Sequence, residues 1–332
     1  MVNARTIVNR FLKGSRRTAI IAVTSRCNCR CQMCNIYDSK PVDLSYSNAV
    51  KILDFMAANK FLITYFTGGE PSLHPDLPKI VEHADKLGLV TSLTTNGTIS
   101  KSMLRELKDA GLYAVSISLD SWNSAVSEEI RKHRNIGQKQ KETFQTAHEL
   151  GLRTYSMTHL GTHLNPENIE RMVAYVNHSL RASFGFCYPA ATAENTYRLG
   201  QSVQMHSEET IKRIIEKLIE LKKKKKGYRI VNMASYMEDA LRFLNGEQVK
   251  FPCRAGEYVF YVDWHGDVYP CFAKKKLFNI LNETQPRFPE KINCNECMID
   301  CFREPSLLAY MSSPRLIVKE IMHSNAIKQT LL

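Results

Sequence analysis

Six short β-type runs alternate with helical segments through the first 190 residues, and this alternation restricts the fold more than any other feature. Each step takes about 30 residues, the length of a right-handed βαβ unit. Six strands rather than eight predict an α/β chain with a partial (β/α)6 TIM-like barrel, whose active site lies at the carboxyl ends of the strands. The predicted strands are Thr18–Thr24, Leu62–Thr67, Leu89–Thr94, Tyr113–Leu119, Arg153–Leu160 and Ala182–Tyr188. The predicted helices between them are Tyr46–Asn59, Leu77–Leu87, Lys101–Asp109, Lys139–Leu150 and Pro166–Asn177.

The pattern changes after the sixth strand. Two helices are expected between Ser207 and Gly246, and a short β-type run, Tyr258–Asp263, then precedes a His-Gly turn among cysteines. We therefore expect three units in the chain: a basic helical extension over residues 1–16, the barrel with its following helices over 17–248, and a small C-terminal cysteine-rich domain over 249–332.

Composition restricts the location and the partners that we expect. No apolar run reaches the roughly 18 residues that cross a bilayer, and the basic N-terminus lacks the apolar core of a secretory signal, so the expected location is cytoplasmic. The N-terminal segment is expected to cap the body, with contact to a membrane surface as the alternative. The formal net charge is +12, but Lys222–Lys226 ends a predicted helix, where cations are favourable. Without interleaved aromatic residues, this charge does not predict nucleic-acid binding.

The ten cysteines are clustered, which is typical of metal ligands rather than of disulfides in a chain of this kind. After the first strand, Cys27, Cys31 and Cys34 have a C-x3-C-x2-C spacing that holds three thiolates on one loop. Three cysteines bound to a [4Fe-4S] cluster leave one iron open for a ligand that is not protein. Thiolates also bind zinc, and with Cys29 in the same loop a four-thiolate metal site is the alternative.

This loop resembles the signature of the radical S-adenosylmethionine (SAM) superfamily, and the resemblance covers about residues 17–190. It implies that Cys27, Cys31 and Cys34 ligate a [4Fe-4S] cluster whose open iron takes the amino and carboxylate groups of SAM. Electron transfer into SAM then gives methionine and a 5′-deoxyadenosyl radical. Cys29 is expected to be a bystander.

One mild departure from the family pattern and one further motif bear on the resemblance. Met33 stands where the family commonly has an aromatic residue, and its backbone is expected to contact the adenine of SAM. At the end of the second strand, Gly68-Gly69-Glu70-Pro71 is similar to the GGEP motif, which implies that the backbone and the Glu70 carboxylate bind the SAM amino group.

Polar residues at the ends of later strands are the remaining SAM-binding candidates. Asn96 lies in a Thr-Asn-Gly turn after the third strand, and Ser118 and Asp120 share one face of the fourth. They are expected to bind the ribose or the methionine carboxylate. On the fifth strand, either Thr158 or His159 is expected to line the cavity or simply to pack.

The C-terminal cysteines are similar to the opening of a twitch or SPASM domain, which binds auxiliary iron–sulfur clusters. Five cysteines are too few for the two clusters of a full SPASM domain, so one auxiliary [4Fe-4S] cluster is expected, with four ligands and one cysteine to spare. A Cys₄ zinc ribbon is the alternative. The candidate ligands are Cys253, Cys271, Cys294, Cys297 and Cys301.

The sequence thus predicts a radical SAM enzyme that abstracts hydrogen from a substrate C–H bond, with SAM and a reductant such as ferredoxin or flavodoxin as partners. Peptide maturation or another oxidative modification is expected. Small-molecule, lipid or tetrapyrrole biosynthesis is the alternative, and a non-catalytic iron–sulfur or zinc protein is a third. No catalytic residue is assigned. Cys187 at the end of the sixth strand is expected to pack as a small hydrophobe, and contact of its thiol with a substrate radical at the barrel mouth is the alternative.

Overall fold

The computed structural model of the chain describes residues 2–190, 205–223, 228–283, 288–289 and 292–311, together with residues 316, 318 and 320. Residues 224–226 of the predicted lysine run, and most of the chain after residue 311, lie outside the described residues. The helices are α1 Ala4–Leu12, α2 Tyr46–Ala58, α3 Leu77–Lys86, α4 Lys101–Asp109, α5 Ser124–Arg131, α6 Ile136–Glu149, α7 Ile169–Ala174, α8 Glu208–Lys223, α9 Ala234–Leu244 and α10 Asp300–Ser306. The strands are β1 Arg17–Thr24, β2 Phe61–Gly68, β3 Val90–Thr95, β4 Ala114–Ser118, β5 Arg153–His159, β6 Ser183–Cys187, β7 Val259–Val262, β8 Asp267–Tyr269 and β9 Phe278–Asn279.

The described strands form one sheet in the order β6-β5-β4-β3-β2-β1-β7-β8-β9. Strands β1 to β6 pair in parallel with their sequence neighbours, which confirms the predicted partial barrel and its six strands. Strand β7 pairs in parallel with β1, and β8 and β9 follow in antiparallel. The boundary expected at residue 249 stays a prediction, and strand β7 beyond it extends the barrel sheet.

The outer edge of β6 is paired with the segment that follows α8. Phe184 donates its N–H to the Arg229 carbonyl at 2.8 Å and accepts one from Val231 at 2.8 Å. The segment is held in turn by Lys222, whose Nζ donates to the Ile230 carbonyl at 2.6 Å.

The two faces of the barrel strands differ in burial, and this difference identifies the interior. Along β5, burial alternates: Thr154, Ser156 and Thr158 are buried, whereas Tyr155 and His159 are partly exposed. A strand with period-two burial has one face packed and one face open. Outward residues of the other strands, such as Phe66 and Val115, belong to the core that the helices cover. The partly exposed face therefore lines a water-accessible interior.

Helix ends fix where the strands begin. Gly111 and Gly151, with φ of +97° and +66°, stand two residues after the last residues of α4 and α6. This left-handed conformation favours glycine and ends a helix, because the next N–H turns back onto the last turn. Leu112 and Leu152 donate to Leu107 and Ala147 at 2.9 Å in this way.

Three elements differ from the sequence prediction. Helix α5 was not predicted, because its eight residues are mostly polar and bury little apolar surface. Helix α6 begins at Ile136 rather than at Lys139. The predicted helix Pro166–Asn177 is α7 followed by a π-helical turn, Tyr175–Ser179.

The N-terminal helix caps the amino end of the barrel, as expected. Ile7 and Phe11 pack with residues at the starts of β2 and β3, including Leu62 and Val90. Arg10 donates to the carbonyls of Leu87 and Phe61 at 2.7 and 2.8 Å. Across the described part of the chain, the helices are too short or too polar to traverse a bilayer.

Candidate active site

The cysteine loop follows β1 at the carboxyl end of the sheet, between Thr24 and a 3-10 turn at Ile36–Asp38. Exposure divides its four cysteines. Cys27, Cys31 and Cys34 are each partly exposed, whereas Cys29 has 1% of its surface exposed. The three partly exposed thiols are those of the predicted ligand set, and the buried thiol is the predicted bystander.

The protonation preferences of these thiols follow the same division. Cys29 lies within hydrogen-bonding reach of Cys27 and Cys31, and these contacts together with burial raise its pKa. The nearby Cys29 thiol lowers the pKa of Cys27, and it lowers the pKa of Cys31 to about 7 against the effect of burial. Burial raises the pKa of Cys34 to about 12. Two of the three expected ligands are thus held toward the thiolate that metals bind.

Backbone contacts hold the loop on two sides. Toward β2, Gly69 and Glu70 donate to Thr24 and Arg26 at 2.8 and 2.7 Å. Toward the end of α5, Arg30 donates to the Arg131 carbonyl at 3.1 Å, and a second bond joins Gln32 to Ile130 at 2.9 Å. These backbone hydrogen bonds therefore hold the cysteine loop in place without help from a bound ligand.

The two glycines of the Gly-Gly-Glu-Pro string allow the close contact between the end of β2 and the start of the cysteine loop. A Cβ on Gly68 would lie 2.3 Å from the Thr24 carbonyl oxygen, and one on Gly69 would lie 2.2 Å from that of Arg26. Gly68 also has a φ of +143°. The close approach that requires glycine in this structure is thus to the end of β1. Their predicted role in binding SAM stays a prediction.

Glu70 is fully buried, and its carboxylate accepts hydrogen bonds from the chain itself. Oε1 accepts from the Ser72 N–H, the Ser72 hydroxyl and the Thr95 hydroxyl, and Oε2 accepts from the Asn96 N–H at 2.7 Å. Burial raises the pKa of Glu70, and these donors oppose the rise. Glu70 thus joins the turns after β2 and β3. Oε2 retains capacity for a second donor, which the predicted SAM contact requires.

Asn96 connects the turn after β3 to the cysteine loop. Its Nδ2 donates to Asn28 Oδ1 at 2.8 Å and to Cys29 Sγ at 3.2 Å, while its Oδ1 accepts from the Thr98 N–H and hydroxyl. Asn96 is 7% exposed. In this structure it positions the loop, and its predicted contact with SAM stays a prediction.

Asp120 forms a buried ion pair with Arg131, a residue that the sequence analysis missed. Arg131 Nη2 lies 2.7 Å from Asp120 Oδ2, and the two side chains are 9% and 0% exposed. Arg131 Nη1 lies 3.9 Å from Cys31 Sγ, so a fixed positive charge stands beside the cysteine loop. Asp120 Oδ1 also accepts the His159 N–H at 3.1 Å. No motif marks Arg131, because only the fold brings the end of α5 to this loop.

The inner wall of the barrel carries the remaining predicted residues. Ser118 is partly exposed and pairs in register with Met157, and His159 pairs with Cys187. His159 therefore lines the interior, and burial lowers the pKa of its imidazole, which keeps it neutral at pH 7. Thr158 is buried on the other face, where its hydroxyl donates to the Leu119 carbonyl at 2.7 Å. Met33 is partly exposed in a turn of the cysteine loop.

The C-terminal cysteines divide into a group of four and one other. Cys253 and Cys294 exchange two backbone hydrogen bonds of 2.9 and 3.0 Å. Burial, together with the nearby Cys297, Cys253 and Cys294, raises the pKa of Cys271 to about 12. The charged neighbours of Cys301 are instead Asp300 and Glu304. We call Cys253, Cys271, Cys294 and Cys297 the four-cysteine group.

The donor chemistry at both positions suits iron–sulfur clusters. Thiolates are the usual ligands of [4Fe-4S] clusters, and three cysteines at one place and four at another match in number the ligands of an open and of a fully ligated cluster. Within the described ranges, no three His, Cys, Asp or Glu side chains converge tightly enough to ligate one metal ion. The corner ligands of a four-iron cluster stand farther apart than those of a single ion.

Comparison with known proteins shows what this chain is similar to. Residues 21–176 match the model of the Radical SAM superfamily. A PqqA peptide cyclase of Bradyrhizobium diazoefficiens is 33% identical over 147 residues, which are 42% of this chain and 38% of that protein. A probable GTP 3′,8-cyclase of Sulfolobus acidocaldarius is 32% identical over 162 residues, 48% of this chain and 51% of that protein. The matched region thus spans about half or less of each relative's length.

Solved structures show the same fold over more of the chain. Streptococcus suis SuiB bound to S-adenosylmethionine superposes with a TM-score of 0.64 at 18% identity, covering 94% of this chain and 70% of that one. The enzyme anSMEcpe with bound AdoMet and a peptide gives 0.63 at 18% identity, covering 80% and 78%. At this identity the likeness establishes the fold alone, and it extends beyond the barrel into the C-terminal region.

Proposed function

Residues 21–176 of this chain match the model of the Radical SAM superfamily, and on that premise we propose that the protein is a radical SAM enzyme. Bound at Cys27, Cys31 and Cys34, a [4Fe-4S] cluster would supply the electron that cleaves SAM to methionine and a 5′-deoxyadenosyl radical, which takes hydrogen from a substrate C–H bond. The observation that supports this most is the set of three partly exposed thiols, beside a buried arginine, at the carboxyl end of a parallel sheet.

Different residues of the chain position the cysteine loop and set the charge beside it. Arg131 presents a positive charge to Cys31, and Asp120 fixes the direction of that guanidinium. A cation beside the cluster favours the thiolate form of its ligand and attracts a carboxylate such as that of SAM. Glu70 and Asn96 position the loop. We propose that the backbone of Met33, the Gly68–Glu70 turn and the Ser118 hydroxyl complete the SAM site.

We propose that the four-cysteine group binds one auxiliary [4Fe-4S] cluster. Four thiolates fill the coordination of such a cluster, so its role would be electron transfer or stiffening of the C-terminal region rather than substrate binding. It would exchange electrons with a carrier of the ferredoxin or flavodoxin type, whose reduced form is the reductant. A cytoplasmic location fits thiolate ligands, which a reducing compartment preserves.

A peptide is the substrate class that we propose. A PqqA peptide cyclase is among the relatives, and the barrel interior is lined by partly exposed hydroxyl, thiol and imidazole groups rather than by a fixed charge pattern for a phosphate. The second candidate is a small molecule, which the match to a probable GTP 3′,8-cyclase favours.

The activity is tested by reconstituting the clusters without oxygen, adding a reductant and SAM, and measuring 5′-deoxyadenosine by mass spectrometry. Wild type should form it, and Cys31→Ala should form none while losing about four of about eight irons. Cys29→Ala is the matched comparison for iron content and should keep all of it. Intact clusters without 5′-deoxyadenosine would overturn the proposed function.

The substrate class is tested by the same product. Binding of a true substrate should raise the rate of 5′-deoxyadenosine formation above that with SAM alone. Peptides encoded next to the gene should do so, whereas GTP and porphyrins should not. A rise with GTP or a porphyrin alone would favour the second candidate.

A further inference from the structure

Cys187, Asp300 and Cys301 form a thiol–carboxylate cluster where β6 ends and α10 begins. The buried Asp300 carboxylate accepts the Tyr188 N–H at 3.0 Å. Cys301 Sγ donates to its Oδ2 at 3.5 Å, and the Cys187 thiol lies near enough to influence the pKa of this carboxylate. One carboxylate therefore lies beside two thiols from different elements.

This cluster faces the barrel interior rather than the four-cysteine group. Cys187 is the register partner of His159, whose side chain lines the inner wall. Both thiols are partly exposed although protein surrounds them, as expected of residues that border an internal cavity. Cys301 acts on the pKa of Tyr65 and Tyr155, two inner-wall residues of β2 and β5.

The surroundings keep both thiols protonated. Burial raises the pKa of Cys187 and of Cys301 well above its ordinary value, and the Asp300 carboxylate adds to the rise. A protonated thiol is a poor metal ligand and a poor nucleophile, because the thiolate does both kinds of chemistry. What a protonated thiol offers is its hydrogen, since an S–H bond is weaker than most C–H bonds.

Resting on the proposed radical chemistry, we propose that Cys187 is a hydrogen-atom donor to a carbon-centred radical formed in the barrel, with Asp300 and Cys301 holding its thiol. The S–H bond breaks homolytically and a C–H bond forms on the substrate, which leaves a thiyl radical on Cys187. One electron from the low-potential reductant and one proton from solvent restore the thiol. The substrate carbon thus regains a hydrogen in place of the one abstracted, without net oxidation.

Iron content and infrared spectroscopy test the thiol–carboxylate cluster without turnover. In the cluster-loaded protein, the S–H stretching bands of Cys187 and Cys301 should be present, and each band should disappear in the matching Ser variant. Cys301→Ser and Cys187→Ser should keep about eight irons, whereas Cys297→Ala should lose about four. Loss of iron from Cys301→Ser would make Cys301 a ligand and overturn the cluster as described.

Solvent deuterium tests the donor. In D₂O a thiol exchanges its hydrogen, so SAM cleavage without substrate and without added thiols should give 5′-deoxyadenosine carrying one deuterium. Cys187→Ser should lose this label, because a hydroxyl O–H bond is too strong to donate. Ser183→Ala, on the same face of β6, should keep it.

The possible failures are distinguishable. If wild type forms no 5′-deoxyadenosine, the proposed function is wrong. If wild type forms it with no more deuterium than Cys187→Ser does, the radical is made but Cys187 does not reach it, and the donor proposal is wrong.

Discussion

Arg131 keeps a positive charge in a place that water hardly reaches. Burial alone would lower its pKa, but the carboxylate of Asp120 and the thiol of Cys31 raise it overall. The guanidinium, the carboxylate and the thiol therefore depend on one another, and removing one leaves the others buried without compensation.

Arg131→Gln should lower the free energy of unfolding of the cluster-free protein by roughly 3–5 kcal/mol, because it leaves the Asp120 carboxylate buried and unpaired. Urea unfolding measures this. Lys101→Gln, which breaks the exposed pair with Glu149, is the matched control and should cost less than about 1 kcal/mol. Adding Asp120→Asn to Arg131→Gln should recover much of the loss. An Arg131→Gln variant as stable as Lys101→Gln would contradict the ion pair.

The thiols of one loop should differ in reactivity with pH. In the cluster-free protein, alkylation of Cys31 should reach half its plateau rate near pH 7, since the thiolate reacts and its pKa is lowered to about 7. Cys34 should stay unreactive up to strongly alkaline pH, because burial raises its pKa to about 12. In Arg131→Gln the midpoint for Cys31 should move upward. Equal midpoints for the two thiols by mass spectrometry would show the prediction to be wrong.

At the scale of elements, two strand ends are pressed together. The exits of β1 and β2 approach so closely that neither Gly68 nor Gly69 has room for a side chain. The cysteine loop begins at this contact, so its position depends on backbone geometry rather than on side chains.

Gly69→Ala should displace the cysteine loop, because its Cβ would meet the Arg26 carbonyl oxygen at 2.2 Å. Reconstituted protein should lose about four of about eight irons, and its thermal unfolding midpoint should fall. Gly246→Ala is the control. It also has a positive φ, +70°, but open space around it, so it should cost only about 1–2 kcal/mol and keep all iron. Full iron in Gly69→Ala would mean that the loop tolerates the shift.

The regular elements were predictable, whereas the contacts between them were not. The six barrel strands follow from β-type runs, and their bounds agree within about two residues. Helix α5 was missed because it is short and polar, and Arg131 was missed with it. Cys31 and Arg131 are brought together by the loop's backbone bonds to the end of α5, which leave no local signal in the sequence.

The same limit applied to the cysteines. Spacing alone identified Cys27, Cys31 and Cys34, because all three lie on one loop. Whether Cys301 lies with the other C-terminal cysteines depends on where α10 packs against β6. That contact joins parts of the chain more than 100 residues apart. Sequence therefore left five C-terminal candidates open, and the fold separates four from one.

At the scale of the whole molecule, the barrel is closed at its amino end by α1. The apolar residues of this helix lie over the starts of the strands, and Arg10 reaches two backbone carbonyls there. The candidate active site, in contrast, lies at the carboxyl end. The amino end of the barrel therefore contributes to stability, and the carboxyl end holds the site.

Arg10→Ala should therefore reduce stability without affecting the site. Losing the two hydrogen bonds leaves partly buried carbonyls unsatisfied, which should cost roughly 1–3 kcal/mol by chemical unfolding. Iron content after reconstitution should match wild type. Arg5→Ala, on the exposed side of the same helix, is the control and should change stability little. A loss of iron in Arg10→Ala would indicate that the amino end influences the cluster loop.

The segment paired with β6 has a consequence for synthesis on the ribosome. Residues 229–231 cover the outer edge of β6, but they are translated roughly 40 residues after that strand is complete. At typical translation rates of about 5–20 residues per second, the nascent barrel presents an unpaired strand edge for a few seconds. An open strand edge is a template for pairing with another chain. During this interval the nascent protein is therefore most exposed to aggregation with other copies of itself.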